Sequence, residues 1–231
     1  MLEVSKLVVS GLFVVGLLAG CGGEAEQSSG SKEEPKKADQ QPLNKEEKPA
    51  EPKKDEEGNV ELLEVGQKHK SEAGTGELLK IKQVNETIEV APLKVTVQDI
   101  KVIKLSDVQD EFAEELSYMA DEEAETLKKG FSYIQVKYTA ENTSEGNVEW
   151  YDLMNVVTDK GEQIDGQLKD FFYDDAESDS KFIGKVKKEF QDGFVVKDDQ
   201  INKVKLVFGN TLNADSYEDI TGKQTVEYTF E

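Results

Sequence analysis

The chain has 231 residues, of which 49 are Asp or Glu and 28 are Lys, so its formal net charge is −21 at pH 7. Such a surface repels nucleic acid and anionic lipid, and the absence of arginine removes the bidentate clamp that suits phosphate groups. One cysteine and one histidine leave no internal disulfide and no histidine-based catalytic triad or zinc site. No glycine-rich loop leads from a strand into a helix, which argues against nucleotide binding.

The first residues have the layout of a lipoprotein signal peptide. Lys6 precedes an apolar run from Leu7 to Leu18, and Leu18-Ala19-Gly20-Cys21 matches the pattern that signal peptidase II cuts before a lipid-modified cysteine. The alternative is a short transmembrane anchor, but the run falls short of the roughly 20 apolar residues that cross a bilayer. We therefore predict that residues 1–20 are removed and that two or three acyl chains on Cys21 hold the protein at the extracytoplasmic face of the cell membrane.

Two segments separate this leader from the first long strand. In residues 21–58, Glu, Lys, Pro, Gln and Ser dominate, which predicts a disordered charged tether because too little surface can be buried to offset the entropy of ordering. Residues 59–76 combine a short apolar patch with glycines and fit either a packed arm or more linker. His69 lies between two lysines there, and we interpret it as a bystander.

From residue 77 to 231 the pattern is mostly that of strands. Between Ile88 and Val102, apolar and polar residues alternate, with phase changes near Pro92 and Asp99 that predict bulges. Further strands are predicted at residues 134–140, 148–158, 186–196, 204–208 and 226–230, with a hairpin turn at residues 159–161. About seven short strands joined by Gly, Asn and Asp turns predict an antiparallel β-sandwich.

One segment has helical spacing instead. Apolar residues recur every three or four positions between Ser106 and Lys129, with Ser106 and Asp107 as candidate N-cap residues and Gly130 as the stop. We predict one amphipathic helix, inserted after the first strands. Its apolar stripe would pack across an open edge or end of the sandwich, or alternatively fill a partner's groove.

The stretch between Phe171 and Gly184 is predicted to be a long acidic loop, with a short helix around residues 174–178. Its carboxylates could supply oxygen ligands to calcium, and the candidates are Asp170, Asp174, Asp175, Glu177 and Asp179. The spacing departs from the usual calcium-loop pattern, since Ser180 stands where the turn glycine belongs and Val186 where the bidentate Glu belongs. A solvated acidic loop is the alternative, and we expect no other cofactor.

Aromatic residues beside this loop are candidates for a binding surface. Phe171, Phe172 and Tyr173 could line a ligand or partner site, although core packing is the alternative role for such rings. We identify no catalytic residues. Paired carboxylates that would suit glycoside hydrolysis arise by composition alone in so acidic a chain.

Several of these segments together resemble a known family. The lipobox and charged linker, the strand at 93–100, the strand and turn at 134–144, the hairpin at 157–161 and the strand at 204–208 look like immunoglobulin-like domains of unknown function that are common on lipoproteins of Gram-positive bacteria. The resemblance covers about residues 77–231. It implies an immunoglobulin-like sandwich outside the membrane, and it brings no catalytic residues.

Two functional classes remain open. The leading prediction is a non-catalytic binding or interaction domain that contacts an envelope protein or ligand through loops or an exposed strand edge. The alternative is a surface-anchored enzyme of the acidic-pair hydrolase type, or an inhibitor of an exported enzyme.

Overall fold

A computed structural model of the chain describes residues 50–54, 60–172 and 179–230. Several residues singled out above lie outside this part: the lipobox with Cys21, most of the tether, Tyr173, the carboxylates of Asp174, Asp175 and Glu177, and the short helix expected around residues 174–178. The signal peptide and the lipid anchor therefore stay predictions.

The described residues are mainly β, as predicted, with antiparallel strands and three short helices. The strands are β1 (Lys53–Lys54), β2 (Val60–Glu61), β3 (Lys68–Lys70), β4 (Thr75–Val90), β5 (Leu93–Ser106), β6 (Phe131–Asn142), β7 (Val148–Trp150), β8 (Leu153–Thr158), β9 (Gln163–Asp165), β10 (Lys181–Phe182), β11 (Lys187–Val196), β12 (Lys203–Phe208), β13 (Thr211–Asn213), β14 (Asp219–Thr221) and β15 (Gln224–Thr229). The helices are α1 (Asp110–Ala120), α2 (Ala124–Leu127) and α3 (Gly166–Lys169). Within these residues no helix has the length and apolar character needed to cross a membrane.

The largest sheet has five strands in the order β11-β6-β5-β4-β3. Strands β4 and β5 form a long hairpin, and Val90 pairs with Leu93 across a two-residue turn that contains Pro92. The bulge predicted near Pro92 is therefore wrong, because the chain reverses there. The bulge predicted near Asp99 is confirmed by a register shift between Val97 and Asp99 opposite β6.

Two four-stranded sheets, in the orders β15-β12-β8-β9 and β10-β7-β13-β14, and a two-stranded sheet of β1 and β2 complete the described structure. The single strand predicted over residues 148–158 is instead two strands in different sheets, β7 and β8. The chain changes direction between them at Asp152, whose φ is 24° and whose carbonyl accepts a 2.7 Å hydrogen bond from the backbone N–H of Gly209. The hairpin predicted at residues 159–161 is confirmed, with Gly161 at a φ of 83°.

The main core contains apolar side chains from the five-stranded sheet and from both four-stranded sheets, and this arrangement is consistent with a β-sandwich. Its largest fully buried side chains include Tyr138, Trp150, Phe182, Phe194 and Phe208. Burial of these rings and of the neighbouring Val, Ile and Leu residues is the main favourable contribution to folding, at about 25 cal/mol per Å² of apolar surface. We call the side of the five-stranded sheet that faces this core its inner face.

The opposite, outer face of the five-stranded sheet is also covered. A second apolar cluster joins Leu105 on β5 to Ala113, Leu116 and Leu127 on the helices. Residues 60–73, which we call the N-terminal arm, include the edge strand β3, and the first part of the arm covers a neighbouring area of the outer face, with Leu62 packed against Leu78 and Ile103. From Asp99 to Ile103 every residue of β5 is therefore buried.

The single helix predicted from Ser106 to Lys129 is wrong in its bounds. Strand β5 continues to Ser106, and Gln109 occupies the N-cap position of α1 without a side-chain capping bond. Asp121, in the left-handed conformation at a φ of 56°, ends α1 and separates it from α2. Gly130 is confirmed as the stop, since its φ is 99° and a Cβ there would lie 2.9 Å from the Leu105 carbonyl oxygen.

Candidate functional site

A cavity of about 290 Å³ lies on the outer face of the five-stranded sheet. Strands β4, β5 and β6 form its floor, while the N-terminal arm, α1 and the residues after α3 form its walls. The lining residues are Val60, Glu61, Leu62, His69, Ser71, Ala73, Gly76, Lys101, Ile103, Leu105, Phe112, Tyr133, Gln135, Phe171, Phe172 and Gln191. We call this space the sheet-face cavity.

One wall of the sheet-face cavity is aromatic. The ring of Phe171 makes edge contacts with those of Phe112 and Tyr133, at centroid distances of 6.3 and 5.2 Å. Phe172 lies 5.7 Å from Tyr133 and over the backbone of Gly193, where a Cβ would come within 2.9 Å of the ring. The two phenylalanines that the sequence marks as a candidate surface are thus half-buried: each packs against the sheet and also lines the cavity.

Asp170 holds these two phenylalanines in place. Its buried carboxylate accepts hydrogen bonds from the backbone N–H of Phe172, at 3.0 Å, and of Gly193, at 2.6 Å.

The other calcium candidate that the structure describes is Asp179, which accepts a hydrogen bond from the backbone N–H of Lys181 at 3.0 Å. In the part of the chain that the structure describes, no three His, Cys, Asp or Glu side chains are placed to hold a metal ion. The calcium hypothesis also involves carboxylates outside that part and stays a prediction.

The floor of the sheet-face cavity carries buried polar groups. Lys101 on β5 and Gln135 on β6 are register partners, so they lie side by side in the sheet. Lys101 is 2% exposed and Gln135 is 9% exposed. The Lys101 ammonium lies 3.4 Å from the carboxylate of Asp99, an ion pair that is the one polar contact it makes among the described residues. Within the same residues the Gln135 amide and the Tyr133 hydroxyl have no hydrogen-bond partner. Tyr133 is half-buried, and neither its hydroxyl nor the Gln135 amide is among the fully buried atoms that lack a partner, so both groups are accessible from the cavity.

Charges beneath and beside the cavity are balanced. Burial raises the pKa of Asp99, while the nearby Lys101 ammonium acts in the opposite direction. A second pair joins Lys137 to Glu61 at 2.8 Å. Burial also raises the pKa of Tyr133, which keeps its phenol protonated as a hydrogen-bond donor. The site is thus locally close to neutral in a chain whose net charge is −21.

The lining of the sheet-face cavity carries groups that can bind a small molecule. The lining provides an ammonium, two amides, a phenol and several aromatic rings, while its carboxylate, Glu61, is held by Lys137. Hydrolysis of a glycoside would need two carboxyl groups facing one bond. A concave, mostly apolar space with a few convergent polar groups is the usual form of a small-molecule site.

Sequence reasoning missed the floor residues. Lys101 and Asp99 alternate with Ile100 and Val102, a pattern that predicts a solvent-exposed polar face, and Gln135 alternates with Ile134 in the same way. The arm and the helices bury this polar face. The available signal was the length of the insertion between β5 and β6, which has to pack somewhere on the sheet.

The solved structures that are similar to this chain include two proteins of unknown function. A functionally unknown protein from Listeria monocytogenes EGD-e is 14% identical, with a TM-score of 0.48 over 68% of this chain and 87% of its own. A conserved hypothetical protein from Bacillus anthracis is 16% identical, with a TM-score of 0.34 over 62% of this chain and 99% of its own. No family model matches, and neither does any curated protein. The function of the chain therefore has to be argued from its own residues.

Proposed function

We propose that the chain is a lipoprotein held at the extracytoplasmic face of the cell membrane by lipid on Cys21, and that its folded part is a non-catalytic binding domain. We further propose that this domain is an immunoglobulin-like sandwich, as the sequence resemblance implies. The sheet-face cavity is its binding site, and the alternating strands provide the rigid scaffold on which that site is built.

The observation that carries the binding proposal is the set of polar side chains that line the floor of the sheet-face cavity. An ammonium, an amide and a phenol lie around one cavity, and among the described residues neither the amide nor the phenol has a partner. A hydrogen bond between one of these groups and a ligand contributes about 0.5–1.5 kcal/mol net. A ligand whose polar atoms meet these groups gains that free energy, while its apolar part contacts Phe112 and Phe171.

Binding is tested by filling the cavity. Gly76 lies on its floor, and a Cβ there would meet Ile103 and His69 at ordinary contact distances of 3.7 and 3.9 Å, so Gly76→Val should fold and occupy part of the space. Gly222→Val is the matched control, since a Cβ at Gly222 meets nothing within 4 Å. A mixed set of small fragments is screened against the full chain by chemical shifts of the backbone amides of Lys101 and Gln135.

We expect some fragments to shift these amides in the unaltered chain and in Gly222→Val, and to bind at least tenfold more weakly to Gly76→Val. Fragments that bind all three proteins equally, or none of them, would contradict the proposed binding site.

The lipid anchor is tested separately with Cys21→Ser. We expect that variant to leave the membrane fraction and to lose the mass of the acyl chains from its N-terminal peptide.

A further inference from the structure

We infer that the ligand of the sheet-face cavity is a neutral sugar unit, an inference that rests on the binding function proposed above. Three properties of the described lining favour such a ligand: its compensated charge, its mixture of donors and acceptors beside aromatic rings, and its size.

Charge compensation favours a neutral ligand over an ion. The Lys101 ammonium is already paired with Asp99, and Glu61 with Lys137. An anion entering the cavity would add a charge without a counter-charge in a space of low polarity, and it would approach through the field of a chain with net charge −21. A cation would lie beside the Lys101 ammonium, and like charges in a buried site repel strongly.

The polar groups match hydroxyls and carbonyls. The ammonium and the phenol donate, and the Gln135 amide both donates and accepts, so a ligand with several groups of both kinds fits better than one with a single acceptor. The aromatic wall contacts the floor from one side: the rings of Phe171 and Tyr133 are 5.2 Å apart, and Phe112 lies beyond. A sugar ring has this same division, with polar hydroxyls at its edge and an apolar C–H face that packs on aromatic rings.

The volume of the sheet-face cavity limits how large the bound sugar can be. At about 290 Å³ the cavity is at the lower end of the roughly 300–1,000 Å³ that drug-sized ligands occupy. It therefore has room for one or two sugar rings, and a longer saccharide would have to extend into solvent past His69, which is exposed beside Gly76 at the cavity's edge.

The test is a titration of the full chain with matched probes, followed through the amide shifts of the cavity floor. Glucose and N-acetylglucosamine are the neutral probes, glucuronate the anionic one and glucosamine the cationic one. We expect both neutral sugars to bind, and each charged analogue to bind at least tenfold more weakly than glucose. The disaccharide of N-acetylglucosamine separates two sources: tighter binding than the monomer assigns a glycan chain, and equal binding assigns a free sugar.

Variants link the binding to the floor residues. We expect Gln135→Leu, and the charge-neutral double variant Asp99→Asn with Lys101→Met, to weaken binding of the neutral sugars at least tenfold. The matched control is Lys203→Met with Glu227→Gln, which removes a 2.9 Å ion pair between β12 and β15, outside the five-stranded sheet. This control should leave binding unchanged.

The outcomes separate the ligand class from the binding function. If a charged analogue binds as well as glucose, or if fragments bind at the cavity and no sugar does, the assignment of a neutral sugar is wrong and the binding function stands. If neither sugars nor fragments shift the floor amides, both are wrong. Sugar binding that survives the Gln135 and Lys101 variants would place the sugar elsewhere and overturn the assignment.

Discussion

Removing Lys101 alone should destabilise the protein through the carboxylate it leaves behind. Lys101→Met replaces the methylene stem with an apolar chain of similar length and removes the ammonium, so packing on β5 is nearly conserved. Asp99, which is 6% exposed and 3.4 Å from the ammonium, then loses its counter-charge. Breaking a buried ion pair in this way costs about 3–5 kcal/mol at neutral pH.

The cost should depend on pH. Burial already raises the pKa of Asp99, and Lys101 is the group that lowers it most, so its pKa rises further in Lys101→Met. The folded variant then holds a proton that the unfolded chain releases, and its stability falls as pH rises from about 4 towards that raised pKa. The deficit relative to the unaltered protein is therefore smallest near pH 4 and largest near pH 8.

The assay is urea unfolding of the full chain at pH 4, 6 and 8. Trp150 is the only tryptophan and is 1% exposed, so its emission reports the loss of the core. The double variant with Asp99→Asn should recover to within about 1 kcal/mol of the unaltered protein, because it leaves no unpaired charge. A deficit that is the same at all three pH values, or that persists in the double variant, would show that packing rather than charge is lost.

Three further changes have expected effects in the same assay. Gly166→Ala should lower the free energy of unfolding by about 3 kcal/mol or more, because the added Cβ would overlap the carbonyl oxygen of Leu153. The control Gly222→Ala should change it by no more than about 1 kcal/mol, since a Cβ there meets nothing within 4 Å. Equal losses in the two variants would contradict this reasoning. Burial raises the pKa of Asp152 to about 6, so its stability contribution falls as pH rises from about 4 to 6. Asp152→Asn should therefore raise the free energy of unfolding by up to about 3 kcal/mol at pH 8 and leave it unchanged near pH 3.5. An effect of the same size at both pH values would refute this explanation. Phe208→Ala should lower the free energy of unfolding by about 3–5 kcal/mol, because the ring is fully buried in the main core. A loss below about 1 kcal/mol would show that Phe208 does not contribute to that core.

The strands of the fold could be predicted because their residues alternate on one buried face. Ile134, Val136 and Tyr138 face the core, and the residues between them carry polar groups, so local pattern and tertiary structure agree. The pattern failed where the chain changes sheet. Tyr151 and Asp152 continue the apparent strand in sequence, and the turn between β7 and β8 depends on a hydrogen bond to Gly209, which local sequence does not reveal.

The site was only partly predictable for a related reason. Phe171 and Phe172 stand out as adjacent aromatics next to an acidic loop, and they line the cavity. Lys101 and Gln135 have the spacing of a solvent-exposed face, and they are buried only because the insertion between β5 and β6 and the N-terminal arm fold over that face. Such packing depends on segments outside the strand itself, and periodicity within the strand carries no information about it.

The buried Asp99–Lys101 pair is better explained by binding than by stability. A buried ion pair is often matched or exceeded in stability by apolar residues of similar volume, so selection for folding alone gives no reason to keep one beneath a cavity. The double variant separates the two roles, since it should unfold at nearly the same urea concentration as the unaltered protein and yet bind the neutral sugars at least tenfold more weakly. If it loses stability and binding in proportion, the pair supports the fold, and the floor of the sheet-face cavity has no separate function in recognition.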